Sequence, residues 1–287
     1  MKFKRYLTEA REQLKKWNEY IKSNRELAAG VKILKEINKK GYKAYIVGGS
    51  VRDIVLGDLK PHDIDIATNA PIEVLDKMYK TYDIGKSKSF GIVVVKKDGF
   101  DFEIAQFRSD GTYSDGRRPD TVTITGSFEE DAERRDFTIN AMGINANGEI
   151  IDYFDGKKDI KNKVLRTVGN PYERFSEDYL RMMRAARFSS KLGMDIDPKT
   201  KKAIKKLSPN ILDLPAERIR DEILKAASQS GEKFARYIEQ LADLKILRLI
   251  LPEVLNMKYF KHNLRHHPEG DVWQHTMAAL KAANVTD

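Results

Sequence analysis

The chain has 287 residues, of which 41% are hydrophobic and 33% charged, with no cysteine and a net charge of +9. The length supports more than one domain, the lack of cysteine excludes disulfides and Cys-ligated zinc, and no apolar run reaches the ~20 residues of a membrane span, as expected for a cytoplasmic protein with no membrane partner. Residues 1–45 hold 13 Lys/Arg against 5 Asp/Glu, a pattern typical of either a nucleic-acid contact or a solvated helix face.

The strand patterns lie in the first half of the chain. Apolar residues at helical spacing predict a basic amphipathic helix over residues 1–24. Ser23 and Glu26 have the spacing of a capping box for a second helix, which ends at Gly41. Predicted strands and turns follow: strands Ala44–Val47 and Ile64–Ala67, a helix from Pro71, a hairpin turning at Asp98-Gly99, a loop over 109–120 and a strand from Val122.

Helix patterns dominate the second half. We predict a helix over Glu133–Ile144 and a short hairpin turning at Asn147-Gly148. Three further helices are predicted over Ser176–Gly193, Pro198–Leu207 and from Pro215 to about Ser228. Strands first and helices afterwards predict an α+β head followed by a helical body.

A pair of aspartates follows the first predicted strand. Asp63 and Asp65 lie two apart on a segment that we predict to be extended, so both carboxylates face the same side. Two like charges held together repel unless a cation lies between them, and hard oxygen ligands suit Mg²⁺, which also holds substrate phosphates. A DxD sequence alone is more often a polar strand edge.

The residues before this pair make a phosphate-binding turn. Gly48 and Gly49 come directly after the strand, where their N–H groups can approach a phosphate, and Arg52 adds positive charge. A third carboxylate would complete a two-metal site. Asp101 and Glu103 share one face of a later strand, and we favour Glu103 because apolar residues flank it.

Several motifs in order carry a resemblance to a known family. GGSVRD and HDIDIAT are similar to the signature of polymerase-β-like nucleotidyltransferases. RRDFTINAM, IDYFDGKKDI and EDYLRMMRAARF resemble the class II, bacterial-type CCA-adding tRNA nucleotidyltransferases and the related poly(A) polymerases. The resemblance runs over residues 44–228 and resumes at HHPEGDVWQHT, whereas residues 1–24 lie outside it. It implies a polymerase-β-like head with a mixed or antiparallel sheet, followed by an all-helical neck and body.

The resemblance also implies roles for single residues. Asp63 and Asp65 match the family's metal-binding pair, and Glu103 falls on its third acidic position. Arg135 and Asp136 match positions that contact the phosphate and ribose of the nucleotide, and Asn140 helps to shape this pocket. The stretch FRSDGTYSDGRRPD matches a flexible loop that repositions between C and A addition, with Asp110 at its acidic position. Enzymes that add only CC tend to lack this loop.

Asp178 and Arg181 are candidates for reading the nucleobase. They are three apart on a predicted helix, so they share one face. Arg can donate to the acceptor edge of cytosine and Asp can accept from an exocyclic amine, so the protein itself would select C or A. The alternative is an ordinary surface salt bridge. Arg184 and Arg187 extend the basic face and could bind the triphosphate or RNA.

The C-terminal histidines raise a metal question. The resemblance places His275 at the first ligand position of an HD phosphohydrolase-like domain, but the HD pair that should follow is absent from the chain. We therefore expect no working metal site at His266, His267 and His275. The predicted division is a basic helix (1–24), a nucleotidyltransferase head (25–154), a nucleobase-selecting neck (155–230) and a helical body with the truncated start of an HD-like domain (231–287).

The resulting hypothesis is a Mg²⁺-dependent, template-independent enzyme that adds C, C and A from CTP and ATP to the 3′ acceptor end of tRNA, with release of pyrophosphate and without a DNA template. A poly(A) polymerase and an A-only enzyme share nearly every motif. An inactive RNA-binding module is disfavoured because all three acidic residues are present. An HD-type hydrolase is disfavoured by the missing HD residues.

Overall fold

The computed structural model describes residues 15–58, 61–83, 87–113, 120–261 and 270–283. They divide into two compact units: the first holds the residues up to Thr112 and the stretch Asp120–Lys161, and the second holds Tyr113 and the residues from Asn162 on. Among the described helices, none combines the length and apolar character needed to cross a membrane.

The first unit, called the head below, alternates helices with strands. Residues 15–23 form the described part of helix α1. The other elements, in chain order, are α2 (Arg25–Lys39), β1 (Ala44–Val47), α3 (Gly49–Leu56), β2 (Asp65–Thr68), α4 (Ile72–Met78), β3 (Thr81–Tyr82), a 3₁₀ turn (Ser87–Phe90), β4 (Ile92–Lys97), β5 (Phe100–Gln106), β6 (Arg108–Asp110), β7 (Val122–Ile124), α5 (Phe128–Glu133), a 3₁₀ turn (Thr138–Asn140), β8 (Met142–Ile144), β9 (Ile150–Asp152) and α6 (Gly156–Asn162), whose last residue belongs to the second unit.

Seven of these strands form one mixed sheet in the order β3-β4-β5-β2-β1-β8-β9. β1 pairs antiparallel with β2 and β8, whereas β2 pairs parallel with β5. The registers place Val47 opposite Asp65 and Ile66 opposite Ile104. The end of β1, the start of β2 and the middle of β5, which carries Glu103, therefore lie side by side.

The central strands are buried by apolar side chains that face the helices. Ile46, Ile66 and Ile104 are at most 1% exposed, as are Leu27 and Leu34 of α2. This continuous apolar pattern is the reason why the strand at Ala44–Val47 is predicted correctly from sequence. The helix from Pro71 and the hairpins at Asp98-Gly99 and Asn147-Gly148 are also confirmed.

The second unit is mainly helical. Its elements, in chain order, are β10 (Val164–Leu165), α7 (Pro171–Glu177), α8 (Leu180–Leu192), β11 (Asp195–Ile196), α9 (Pro198–Leu207), a 3₁₀ helix (Ser208–Asp213), α10 (Ala216–Ala227), α11 (Gly231–Asp243), α12 (Leu247–Ile250), α13 (Pro252–Asn256), a 3₁₀ turn (Met257–Tyr259) and α14 (Val272–Ala282). β10 and β11 form a small parallel pair. The predicted α+β class, with helices dominating the second half, is confirmed.

The predicted capping box of the second helix is wrong. Helix α2 is capped by Asn24, whose Oδ1 accepts a hydrogen bond from Leu27 N at 2.9 Å. Ser23 still belongs to the preceding helical turn, and its hydroxyl donates to Tyr20 O. Glu26 instead accepts from the backbone of Ile64. The box is displaced because the two helices are separated by a single residue.

The predicted helix over Glu133–Ile144 is also wrong. α5 ends at Glu133, Thr138–Asn140 is a 3₁₀ turn and Met142–Ile144 is strand β8. The apolar side chains of this stretch are buried on all sides rather than along one stripe, and β8 satisfies its backbone by pairing with β1 and β9. Tertiary pairing therefore overrides the local helical pattern.

The helix predicted from Ser176 to Gly193 is interrupted. α7 ends at Glu177, and Asp178 is extended with φ −151° and ψ 106° before α8 begins at Leu180. The Asp178 carboxylate accepts from Leu180 N at 3.1 Å, a local bond that competes with the helix. Asp178 and Arg181 therefore do not share one face of a continuous helix. The helix over Pro198–Leu207 is confirmed.

Candidate nucleotidyl-transfer site

A glycine turn joins the end of the interior strand β1 to α3 in the head. Gly48 has φ +78°, a region that favours glycine, and it precedes the first residue of α3. A Cβ on Gly48 would lie 3.7 Å from Asp65 Oδ2 and 3.8 Å from Arg135 Nη1. The turn thus brings backbone, one predicted metal ligand and one predicted phosphate ligand together.

Two of the predicted metal ligands lie on neighbouring strands. Asp65 begins β2, and Glu103 precedes Ile104 on β5, which pairs with Ile66 in the parallel ladder. Burial raises the pKa of Asp65 to about 6. The negative charges of Glu103 and Asp63 also raise this pKa, whereas the positive charge of Arg135 lowers it. The pair therefore carries negative charge that the described side chains leave only partly balanced.

Asp63 does not lie on the extended segment that the sequence predicts. Its φ is +56°, and its side chain is 96% exposed, with Oδ2 lying 3.4 Å from His62 Nδ1. The reason is that β2 begins only at Asp65, so Asp63 belongs to the loop before the strand. Within the described residues, no three Asp, Glu or His side chains converge as a metal-binding group.

The donor set nevertheless has the chemistry of a hard-cation site. Asp65 and Glu103 repel each other, as the raised pKa of Asp65 records, and a divalent cation between carboxylates removes that repulsion. Asp101, the alternative third carboxylate, lies 3.6 Å from Lys96 Nζ on the neighbouring strand. Its charge is already compensated there, which favours Glu103 over Asp101.

Arg52 is buried, with 4% of its surface exposed, and its guanidinium is used within the protein. Its Nε donates to Asp53 Oδ1 at 2.8 Å, and its Nη1 donates to Asn140 Oδ1 at 2.9 Å. Asn140 Nδ2 in turn donates to Asp136 Oδ1 at 3.2 Å. Three residues predicted to contact the nucleotide therefore form one hydrogen-bonded chain beneath the glycine turn.

Asp131 holds the arginine pair in place, and the sequence analysis did not identify it. Its Oδ2 accepts from Arg135 Nη2 at 2.9 Å, and its Oδ1 accepts from Arg134 Nη2 at 2.7 Å. Burial alone would raise the pKa of Asp131, but the two guanidinium groups outweigh it and hold the pKa below its ordinary value. The i,i+3 and i,i+4 spacing on a helix was the signal that could have found it.

The candidate base-reading residues lie in the second unit, and each is paired with another side chain rather than with the other. Asp178 accepts from Arg218 through both oxygens, at 3.1 Å and 2.9 Å. Arg181 Nη1 donates to Arg174 O at 2.9 Å and to Glu177 Oε2. The alternative of a surface salt bridge between Asp178 and Arg181 therefore does not hold, because each of them pairs with a different residue.

Arg184 and Arg187 lie against the ring of Phe188, with guanidinium carbons 5.3 Å and 4.6 Å from its centroid. Arg187 Nε also donates to the buried Glu222 at 2.5 Å. Arg187 is thus held inside the second unit. Burial, and then the charge of Glu222, raise the pKa of Tyr237 there.

Three predicted features fall wholly or partly outside the described residues. Residues 1–14 of the predicted basic helix are not described. The predicted loop over 109–120 begins in β6, where Asp110 Oδ1 lies 3.3 Å from Arg108 Nε, and residues 114–119 are not described. His266 and His267 are not described either, whereas His275 lies in α14.

Two family models match the chain. The poly A polymerase head domain matches residues 44–166, and the probable RNA and SrmB-binding site of polymerase A matches residues 193–258. The first match spans β1 to β10 and includes every predicted metal ligand, whereas α1 and α2 precede it. The polymerase-β-like head expected from the motifs is thereby confirmed.

Named relatives agree with these models. A CCA-adding enzyme of Enterococcus faecalis is 47% identical over 202 residues, covering 70% of this chain and 49% of the relative. A CCA-adding enzyme of Lactobacillus johnsonii is 41% identical over 265 residues, covering 89% of this chain and 64% of the relative. The chain thus spans between about half and two thirds of the length of these curated relatives.

Solved structures of CCA-adding enzymes and tRNA nucleotidyltransferases are also similar to this chain. The CCA-adding enzyme of Bacillus stearothermophilus in complex with CTP is 39% identical, with a TM-score of 0.69 over 76% of this chain and 52% of that one. A tRNA nucleotidyltransferase complexed with a primer tRNA and an incoming ATP analog is 28% identical, with a TM-score of 0.64 over 89% of this chain and 76% of that one.

Proposed function

Because the chain belongs to the family of CCA-adding tRNA nucleotidyltransferases and bacterial poly(A) polymerases, we propose that it is a template-independent nucleotidyltransferase that adds C, C and A to tRNA. CTP and ATP are the proposed nucleotides, and the 3′ acceptor end of tRNA is the proposed primer. The proposed setting is the cytoplasm, without a membrane or a DNA template. The names of the relatives favour CCA addition over poly(A) addition.

The observation that carries this proposal is the arrangement around Gly48. Asp65 Oδ2 and Arg135 Nη1 both lie within 4 Å of the Cβ position of this glycine, and Glu103 is close enough to raise the pKa of Asp65. A triphosphate needs backbone N–H groups and a cation on one side and a metal-holding carboxylate pair on the other. These groups occur together on one edge of the head sheet.

The proposed reaction is attack of the tRNA 3′ oxygen on the α-phosphorus of the nucleotide. The 3′ hydroxyl loses its proton to solvent and forms a new bond from its oxygen to the α-phosphorus. The bond from the α-phosphorus to the oxygen that bridges to the β-phosphorus breaks, and pyrophosphate leaves. Asp63, Asp65 and Glu103 would hold Mg²⁺, which when bound activates the attacking hydroxyl and stabilises the leaving group. Asp63 must turn away from His62 to take part.

The chain's own residues supply the remaining steps. Arg135, fixed by Asp131, presents Nη1 toward the glycine turn and would bind the phosphates of the nucleotide. The N–H groups at the start of α3 would bind the same phosphates. Asp136 is held in place by the Phe137 N–H and by Asn140, and its carboxylate would accept from the ribose.

Base selection is proposed for the neck, residues 155–230. Asp178 would accept from the exocyclic amine of C or A, and Arg181 would donate to the acceptor edge of the same base. In the second unit Arg218 fixes the Asp178 carboxylate and Glu177 fixes the Arg181 guanidinium. Both groups are thereby oriented before a base arrives, which lowers the cost of binding it.

The test uses purified protein, Mg²⁺ and a tRNA transcript that lacks its terminal CCA. Labelled CTP, ATP, GTP and UTP are offered singly, and CTP with ATP as a pair, and the products are resolved by length on a gel. Asp65→Asn is the inactive variant. Asp101→Asn is its control, because it removes a carboxylate on β5 that we do not assign to the site.

We expect two C additions and one A addition followed by a stop, loss of incorporation in Asp65→Asn and normal incorporation in Asp101→Asn. A long A ladder from ATP alone would identify a poly(A) polymerase instead. Addition of A only to tRNA that already ends in CC would identify an A-only enzyme. Tight tRNA binding without any incorporation would refute the enzyme proposal for this chain.

A further inference from the structure

The loop that carries Asp63 is held in an uncommon backbone conformation. Asp63 has φ +56°, a region that few residues other than glycine adopt, although Asp and Asn tolerate it better than most. Such a conformation persists only where the surroundings fix the chain on either side. The flanking residues Pro61 and Ile64 are both buried.

Side chains from the start of the described chain make these fixing contacts. Asn24 Nδ2 donates to Pro61 O at 2.6 Å, while its Oδ1 caps α2 through Leu27 N. Glu26 Oε1 accepts from Ile64 N at 3.2 Å. The peptide groups two residues before and one residue after Asp63 are thus bonded to one turn at the start of α2.

Helix α1 anchors this turn to the head. Trp17 is 4% exposed, and its Nε1 lies 3.4 Å from Ala146 O in the β8–β9 hairpin. Its ring packs on Gly148 so closely that a Cβ there would lie 2.3 Å from Trp17 Cγ. Tyr20 is 2% exposed and donates to Ile54 O near the end of α3. Both side chains are on one face of α1, at i and i+3.

We propose that Trp17, Tyr20, Asn24 and Glu26 form an N-terminal brace that positions Asp63 for metal binding. Trp17 and Tyr20 fix α1 on the head, and Asn24 and Glu26 fix the loop in which Asp63 lies. All four are positioning residues, since none of them touches the reacting atoms. They precede residue 44, where the family head domain begins to match. The proposal rests on the metal-binding role proposed above for Asp63.

The brace would also lower the entropic cost of metal binding by Asp63. A side chain on a freely moving loop loses conformational entropy when it binds an ion, whereas a fixed backbone has already lost it. Only the side-chain torsions of Asp63 then need to change when it leaves His62.

The test measures the order of the Asp63 loop and the affinity for the metal separately. Asn24→Ser keeps an oxygen that can cap α2 and removes the donor to Pro61. Glu26→Ala removes the acceptor for Ile64 N, and Glu26→Gln restores an acceptor without the charge. Glu19→Ala, at an exposed position of α1, is the matched control for loss of a glutamate.

The first readout is amide hydrogen exchange of the metal-free protein, followed by NMR at Ile64 and at the α2 amides. We expect exchange at Ile64 to be about tenfold faster in Asn24→Ser/Glu26→Ala, with the interior of α2 unchanged, near wild-type exchange in Glu26→Gln and no effect of Glu19→Ala. The second readout is the Kd of Mn²⁺ in the presence of CTP, which should rise about tenfold in the double variant.

Unchanged exchange at Ile64 would overturn the brace, and so would faster exchange with an unchanged Mn²⁺ Kd. Asp63→Asn distinguishes this failure from a failure of the proposed function. If Asp63→Asn weakens Mn²⁺ binding and the double variant does not, the brace is wrong and the site stands. If Asp63→Asn leaves Mn²⁺ binding unchanged, the metal role of Asp63 is wrong, and the brace falls with it.

Discussion

Replacing Asp65 with asparagine should stabilise the metal-free protein at neutral pH, because the native carboxylate is ionised in an unfavourable place. Burial and the charge of Glu103 raise its pKa from 3.8 to about 6. The difference between these values is equivalent to ~3 kcal/mol. Neighbouring groups crowd the carboxylate, but the residue keeps solvent-exposed surface at the start of β2. Solvent screening therefore reduces the effect, and we expect a gain of roughly 1 kcal/mol in the free energy of unfolding.

The sign of the effect depends on pH. Below the unfolded pKa of 3.8 the carboxyl is protonated in both states, so the wild type and Asp65→Asn should be equally stable at pH 3.5. Between 3.8 and about 6 the unfolded state releases its proton first, and the wild type loses stability relative to the variant. The full difference should be present at pH 8. Mg²⁺ should then stabilise the wild type and not the variant.

The measurement is urea denaturation in EDTA, followed by the fluorescence of Trp17, which is buried in the head. A Trp273→Phe background removes the other tryptophan, which lies in the second unit. Asp101→Asn, at an exposed position on β5, should change stability by less than about 0.5 kcal/mol. A loss of stability for Asp65→Asn at pH 8, or an equal effect at pH 3.5 and pH 8, would refute the electrostatic reasoning.

Three other substitutions have defined outcomes. Gly48→Ala should lower stability by about 1 kcal/mol and reduce CTP affinity, because φ +78° disfavours a side chain and the added Cβ would lie where the backbone approaches the phosphates. Gly126→Ala, in open space, should do neither in the same titration and denaturation. Asp131→Asn should lower the free energy of unfolding by about 2 kcal/mol at pH 7, and by progressively less as the pH falls below about 4. The reason is that the lowered pKa of Asp131 marks a carboxylate stabilised by its arginine partners. An equal loss of stability at pH 7 and below about pH 4 would contradict this. Arg218→Lys should increase incorporation of GTP and UTP on CCA-lacking tRNA, because the bidentate contact to Asp178, the proposed base-reading carboxylate, is lost. The exposed Arg220→Lys should not have this effect.

The elements that the sequence predicts well are those whose signal is local. Ala44–Val47 is a short buried run bounded by a glycine turn, and Asp98-Gly99 lies between two alternating strands. The stretch Glu133–Ile144 has apolar residues at helical spacing, but its backbone pairs with strands that are distant in sequence. No local pattern carries that information.

The site is predictable to a similar degree. Residue types and spacing single out Asp65, Glu103 and Arg135 as candidates. The strand order places Asp65 beside β5, and the segment after α5 places Arg135 near Gly48. Spacing cannot give the partner of a charged group when that partner is far along the chain. Asp178 is bonded to Arg218, 40 residues away, and Arg52 to Asn140, 88 residues away. These long-range pairs decide which atoms of each group remain for a substrate.

The hydrogen bonds of Arg52 and Arg135 within the head decide which of their nitrogen atoms could bind the nucleotide phosphates. Arg52 uses Nε and Nη1 within the head, and its Nη2 lies 3.4 Å from the Cβ position of Gly49. Arg135 uses Nη2 for Asp131 and directs Nη1 toward the glycine turn. The two guanidinium groups beside the turn, the start of α3 and the metal would then balance the triphosphate. Affinity for CTP should therefore fall when Mg²⁺ is removed, because the Asp65 carboxylate lies beside the turn and repels the phosphates unless a cation lies between them.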